Sequence, residues 1–311
     1  MTVNELVEWA QYAEKSGYRY ILRSDHLCPI TAEYMTDSIA DSVPECWVTL
    51  GVLAATTKKI RFGPLVSPIG FRNPTLLAHV ACTLHAFSQG RLILGVGTGW
   101  FEHEYNSFGY AFPNSHTRQE AIKIIRPLTE GKDVDFQGRY FSARAICLPK
   151  PKDKIHLVIR GTNKRVLQTA PEFADEWNTF NLQRDDLKKC KKFLEEGSND
   201  RTVDVSLMGP FILAETKSKL SLKLIRLRPC PPNKRNLLKS FSIVETFFKD
   251  QVVTSARMYD RGTSSLQNGG AKFENLTLGA DAHFTEFLAS IAVVSQSEQK
   301  LTTPLSLKGR T

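Results

Sequence analysis

Three glycines separated by single residues, Gly95, Gly97 and Gly99, run through RLILGVGTGWFEHEY and give way at once to Trp100, Phe101, Glu102 and His103. Glycines at that density let a backbone approach a flat or phosphorylated ligand closely, and the two aromatic rings could wall a pocket. A dinucleotide turn is one chemistry to weigh. It requires G-x-G-x-x-G opening straight into a helix, with an acidic residue about 20 positions on. The G-x-G-x-G found here, followed by Trp-Phe, has the wrong spacing. That leaves a ligand mouth at the end of a strand, or a plain tight exit in which Trp100 is packing. Metal-assisted hydrolysis would call for an H-x-H pair or similarly close ligands on a strand. No H-x-H occurs, His79 and His85 stand six residues apart on a helical pattern, and no metal site is expected.

The elements that must position these residues alternate. MTVNELVEWAQYAEKSGY reads as an amphipathic helix with Val3, Leu6, Val7, Ala10 and Ala13 on one face, and Thr2 with Glu5 forms a capping box. RYILR follows as a strand that delivers Ser24, Asp25 and His26 at its C-terminal end. ECWVTLGVLAAT is a helix with Pro44 in its first turn, and IRFGPLV a strand. NPTLLAHVACTLHAFSQG is a helix closed by Gly90, and RLILGVG a buried strand. QEAIKIIRPL continues as a helix, VDFQGRYFSA as a short hairpin, KIHLVIRG and DEWNTF as strands around a helix at Lys164 to Phe173. The charged helix LKKCKKFLEEG precedes the strand VDVSLMGPFILA. So many consecutive βα units favour a (β/α) barrel over a doubly wound sheet, and the glycine run then stands at the barrel's C-terminal face, where barrel active sites are built.

Composition is the usual balance of a soluble globular protein rather than a disordered or fibrous one. The chain has 311 residues, 41% hydrophobic and 23% charged, enough for one large barrel. Its six cysteines are scattered singly with no C-x-x-C pair, as expected of reduced thiols in a cytoplasmic protein. No apolar run reaches the roughly 18 residues of a membrane span, and Glu5, Glu8 and Glu14 interrupt any signal-peptide core. The net charge is +9, with eight basic and no acidic residues between Lys217 and Lys239. That segment lacks interleaved aromatics and contains Pro229, Pro231 and Pro232, which argues against a nucleic-acid partner.

Taken in order, AEKSGYRYILRSDH, ECWVTLGVLAATTKKIRFGPLVSP, FRNPTLLAHVACTLHAFSQGRLILGVGTGWFEHEY, FGYAFP, FQGRYFS, PKP and LQTAPEFADEWN resemble the bacterial luciferase-like superfamily of flavin and deazaflavin oxidoreductases, particularly its coenzyme F420-dependent branch. The resemblance implies a barrel carrying F420 or FMN at the C-terminal mouth, with hydride passed to or from a small organic substrate. An FMN-dependent monooxygenase is an alternative, since some members activate oxygen. On the matched positions Asp25 and His26 are the implied catalytic pair, and His26, as a histidine, could donate or accept a proton; the plainer role is a strand-end histidine satisfying backbone. Ser24 is implied near the ring, as are Pro64, Leu65, Val66 and Ser67 at a strand bulge with a non-prolyl cis bond at Pro64–Leu65. Gly97, Thr98, Gly99 and Trp100 would line the cofactor pocket, with His103 near the phosphate-bearing chain. Arg160, Gly161 and Thr162 match a strand end that usually reads Gly-Gly, where Arg160 could add a cation for phosphate. Trp100 favours general F420 or FMN members over the sugar-phosphate dehydrogenases, which carry an acidic residue there.

Other positions depart from the family pattern. Family barrels begin with a strand before the helix that here starts at Thr2, and the eighth strand is due after Gly262, where TSSLQN is polar and short. The expected architecture is therefore α/β, a (β/α)8 TIM-barrel-like unit over residues 1–265 that lacks the first strand and has a weak last strand. A C-terminal helix and loose tail are expected over 266–311. The strand-one/strand-eight seam would expose unpaired edges. SFSIVETFFKDQVVTSARMYDRG is similar to the family's late helix and its approach to the last strand, but Glu245, Thr246 and Phe247 stand where the family commonly has a Gly-Thr-Pro turn before that helix and would repel phosphate. These departures raise a further alternative, an N-terminally truncated or degenerate, catalytically silent member. Related barrels often dimerise, so a homodimer is an expectation by analogy.

Overall fold

Helix-forming periodicity and sharp caps set most of the described elements in the computed structural model, which describes residues 3–28, 43–180, 184–198, 201–214, 241–248, 251–258, 276–279 and 291–295. Helix α1 (Val3–Lys15) buries Leu6, Ala10 and Ala13, one stripe of its surface, and leads into β1 (Tyr20–Arg23). Glu45 caps α2 (Cys46–Thr56) by accepting from the Val48 N–H; Pro44 stands just before that cap rather than inside the first turn. Strand β2 (Arg61–Pro64) is cut from β3 (Ser67–Pro68) by Leu65 and Val66. The cis peptide bond lies at Leu65–Val66, one bond beyond the expected Pro64–Leu65. Asn73 caps α3 (Pro74–Phe87), with Pro74 at its start, and β4 (Ile93–Gly97) returns fully buried.

A short α4 (Glu102–Ser107) follows, then α5 (Ser115–Thr129), capped by Asn114. The expected hairpin is β5 (Val134–Gln137) with β6 (Ser142–Ala145). Next come β7 (His156–Arg160), α6 (Lys164–Phe173), β8 (Glu176–Phe180), α7 (Arg184–Gly197) and β9 (Asp204–Ala214). The last described elements are β10 (Phe241–Phe248), β11 (Gln251–Met258), β12 (Leu276–Gly279) and β13 (Ile291–Ser295).

Two expectations are corrected in this last part. FSIVETFF and QVVTSARM are not a late helix: they pair antiparallel as β10 and β11, as suits segments rich in β-branched and aromatic residues. Glu245, Thr246 and Phe247 thus belong to a strand rather than to a phosphate-repelling turn. Of residues 266–311, expected as helix and tail, the described ones form two strands of the main sheet, β12 and β13, and the rest lie outside the described residues. The TSSLQN segment, the Thr2 cap and the basic 217–239 segment lie outside the described residues.

The main sheet runs β2-β1-β12-β13-β9-β8-β7-β4-β3. Strands β1, β2, β3, β4, β7, β8 and β9 are parallel to their neighbours in that group, as an α/β barrel-like architecture requires. The antiparallel pair β12–β13 fills the expected seam, with β12 on β1 and β13 on β9. The path starts on β2 and ends on β3, two pieces of one strand, and Phe62 also bridges to Leu92 beside β4. The sheet therefore curls back towards its own start.

Alternation along the strands divides the core in two. Ile21, Phe62, Leu92, Leu94, Leu157, Ile159 and Trp177 pack with residues of the helices. Leu22, Leu65, Ile93, Val158 and Met208 form a smaller cluster on the other, inner face. By register, Gly95 lies beside Val158, itself beside Glu176, and Arg160 beside Asn178, itself beside Ser206, so β4, β7, β8 and β9 turn these residues to the same inner side. No helix among the described residues is long and apolar enough to cross a membrane.

Candidate active site

The C-terminal ends of β1, β3, β4 and β7 bring most of the expected site residues to one edge of the sheet, as parallel strands with short exits do. After β1 the chain leaves Ser24 half-buried, Asp25 buried and His26 half-buried. Neighbouring side chains along the backbone diverge, and Asp25 and His26 enter two different networks.

Asp25, 1% exposed, faces the layer behind the strand ends. Its Oδ2 accepts from Arg72 Nη1 at 2.6 Å and from the Ser67 hydroxyl, and its Oδ1 accepts from Arg72 Nη2 at 3.2 Å. Arg72 also pairs with Glu45, the α2 cap, and Trp47 Nε1 donates to Ser67 Oγ at 2.9 Å. Burial pushes the Asp25 carboxyl up from its ordinary range, against the opposing pull of Arg72 and Ser67. This cluster ties β1, α2, β3 and the start of α3 together. Ser67, expected against a cofactor, has its hydroxyl committed to Asp25 and Trp47.

His26 turns the other way. Its Nδ1 lies 3.0 Å from Oε2 of Glu104, a carboxylate on α4 whose side chain is 1% exposed. Oε1 of the same Glu104 accepts the backbone N–H of Leu27 and, at 3.3 Å, of Cys28. The Trp100 ring stands edge-on to His26 with centroids 6.2 Å apart, and Trp100 is 63% exposed. A wall of solvent-exposed tryptophan beside a half-buried histidine is suited to a planar ligand.

The glycines have a nearer explanation than a ligand. A side chain at Gly95 would overlap the carbonyl oxygen of Pro64, and one at Gly97 would come within 2.5 Å of Val66 Cγ2. What approaches the β4 backbone is the segment 64–66, bent inward at the bulge. Leu65 belongs to the inner apolar cluster and Val66 packs against it. Gly99 takes φ +86, a conformation that disfavours any side chain.

Beyond Gly97, Thr98 is gripped from two sides. Tyr105 donates its hydroxyl to the Thr98 carbonyl at 2.9 Å, and Arg118 Nη1 donates to Thr98 Oγ1 at 2.7 Å. Arg118, on α5, is 1% exposed. Its Nη2 reaches Asn163 Oδ1 at 3.5 Å, its Nε has no partner, and no carboxylate among the described residues pairs with it. Burial and the nearby charge of Arg165 lower this guanidinium to about 10. Asn163 is also the cap of α6, accepting from Val166 N–H at 3.0 Å. Next to it, Gly161 has φ +135, donates to the Asn178 carbonyl at 3.2 Å and accepts from Trp177 Nε1 at 2.7 Å. Thr162 is exposed, and Arg160 stacks its guanidinium 5.5 Å from the Phe180 ring centre. His103 lies on the exposed side of α4, with Nε2 3.3 Å from Ser107 Oγ.

Two residues that define this site, Glu104 and Arg118, were not among the sequence candidates. Their partners are 78 and 20 positions away, and a buried Glu or Arg on a helix is indistinguishable in one sequence from a solvated one.

A family model described as luciferase-like monooxygenase matches residues 1–298. The chain is 32% identical over 182 residues to an F420-dependent glucose-6-phosphate dehydrogenase of Microbacterium testaceum (strain StLB037), covering 57% of this chain and 52% of that protein. It is 33% identical over 182 residues to an F420-dependent hydroxymycolic acid dehydrogenase of Mycobacterium tuberculosis (strain ATCC 25618 / H37Rv), covering 56% and 48%. It thus spans about half the length of these curated relatives. Among solved structures, an F420-dependent secondary alcohol dehydrogenase in complex with an F420-acetone adduct superposes with a TM-score of 0.56 at 25% identity, over 64% of this chain and 62% of that one.

Proposed function

The chain belongs to the luciferase-like monooxygenase family, and from that premise we propose that it is an oxidoreductase binding coenzyme F420, or FMN, at the C-terminal edge of its sheet and acting on a small organic substrate. The names of its relatives favour F420. When bound, such a cofactor supplies a ring that accepts or gives hydride.

One observation above all carries the reading. Arg118 is a buried cation whose Nη1 and Nη2 reach only the neutral Thr98 and Asn163, whose Nε has no partner, and with which no carboxylate among the described residues pairs; burying an unpaired charge is costly unless an anion completes it. Thr98 and the start of α6 at Asn163 flank it. Both cofactors carry phosphate, and a guanidinium beside a helix N-terminus is suited to hold one. Gly161, Thr162 and Arg160 lie at the same strand end. His103, on the exposed side of α4, contributes less support to a phosphate role.

Within this reading His26 is the proton-transferring residue and Trp100 the exposed wall. Asp25 acts at one remove: with both oxygens held by Arg72 and one by Ser67, it anchors the strand end that presents His26. Leu65 and Val66 shape the inner face of the pocket.

Separate titrations with F420 and with FMN, followed by absorbance and fluorescence, test the proposal. Saturable binding of one of them, weakened in Arg118→Met, is the expected result. FMN binding with substrate-dependent oxygen uptake would favour the monooxygenase alternative. Failure of a folded sample to bind either would overturn the reading in favour of a catalytically silent member.

A further inference from the structure

We infer that Glu104 is a positioning residue that holds the His26 ring proton on Nδ1 and so assigns proton exchange with the substrate to Nε2. The inference rests on the oxidoreductase reading above for its meaning, but its premise is purely structural.

Glu104 side-chain oxygens meet three nitrogens: Leu27 N and Cys28 N on Oε1, His26 Nδ1 on Oε2. The two backbone nitrogens can only donate, so Oε1 is an acceptor twice over. Between Oε2 and Nδ1 one proton must lie, and two N–H donors on Oε1 favour the ionised carboxylate, which can only accept at Oε2. That proton therefore rests on nitrogen, giving Nδ1–H donating to Oε2. A ring nitrogen fixed in this way determines the state of the other. Neutral His26 then carries its lone pair on Nε2 and can take up a proton the substrate loses. In the opposite direction, Nε2–H returns it.

The same contacts settle the ring's place as well as its tautomer. Glu104 is 1% exposed, so it does not swing between partners, and by holding Leu27 and Cys28 it fixes the backbone that immediately follows His26. Trp100, edge-on at 6.2 Å, limits rotation from another side. Asp25 makes no such contribution, because its oxygens are engaged behind the strand.

Substitution with glutamine gives a sharp test. In Glu104→Gln the single side-chain oxygen is still claimed by the two backbone N–H groups, which leaves the NH2 facing Nδ1. Nδ1 must then accept, and the proton moves to Nε2. Two-bond 1H–15N spectra of protein labelled with 15N-histidine, recorded at about pH 9 where an ordinary imidazole is neutral, distinguish the two tautomers; His26→Gln identifies the signal. The expected result is Nδ1–H in the wild type and Nε2–H in Glu104→Gln. An Nε2–H wild type, or the same tautomer in both proteins, overturns the inference. Should Glu104→Gln not fold, the wild-type spectrum still decides. The readout needs no cofactor or substrate, so it is independent of whether F420 or FMN binds.

Discussion

Arg118 and Gly97 respond to substitution in opposite ways, and the contrast separates holding a ligand from holding the fold. Removing the Arg118 charge in Arg118→Met leaves an apolar side chain of similar length in a buried site. Folding stability should stay level or rise, because no paired carboxylate is abandoned. Affinity for a phosphate-bearing cofactor should fall about 10- to 100-fold, the value of one hydrogen bond to a charged group; isothermal calorimetry and thermal melts check both halves. Gly97→Val runs its branched side chain into Val66 whether or not a ligand is present. It should lower stability by about 1–3 kcal/mol, as overpacking does, and denaturant melts of ligand-free protein measure this. Loss of cofactor binding in Gly97→Val would therefore say little about the glycine as a ligand contact. His26→Gln should retain cofactor binding while reducing turnover about 100-fold or more, the ordinary contribution of a general acid or base, in single-turnover assays with an accepted substrate.

Between elements, one electrostatic tie joins α5 to the strand layer through Asp175, the residue before β8. Although burial opposes it, hydrogen bonds from Arg126, Lys154 and the Leu157 N–H hold this carboxyl down to about 2 from an ordinary 3.8. A depressed acid contributes stability that is present above its unfolded value and lost as pH falls through the folded one. Between about pH 4 and pH 2, then, the protein should lose about 2 kcal/mol on this account, and Asp175→Asn should flatten that part of an acid-denaturation curve. Most elements at this scale were legible in the chain. Helix α6 agrees with its expected bounds because Asn163 is a strong cap, and α3 because Asn73 and Pro74 mark its start. The β10–β11 pair was misjudged from a family likeness, although FSIVETFF and QVVTSARM carry the residue types of strands. At the site, Ser24, Asp25 and His26 were read correctly as a strand end, but one sequence cannot tell that successive side chains enter separate networks. Nor can it bring Glu104 to His26 across 78 positions.

For the molecule as a whole, closure depends on β12 and β13, which stand between β1 and β9. A chain stopped after Met258 would leave both of those strands with a bare edge. It should aggregate and lose hydrogen-exchange protection at Ile21 and Leu22, the residues paired with β12; a monomeric truncated chain with that protection intact would remove the hairpin from the sheet. The pairing of Ile21 with Leu278 has a further result for the living cell. A ribosome adding on the order of 5–20 residues per second needs roughly 10–50 seconds between making one partner and the other. During translation the nascent β1 edge must wait that long without its β12 partner.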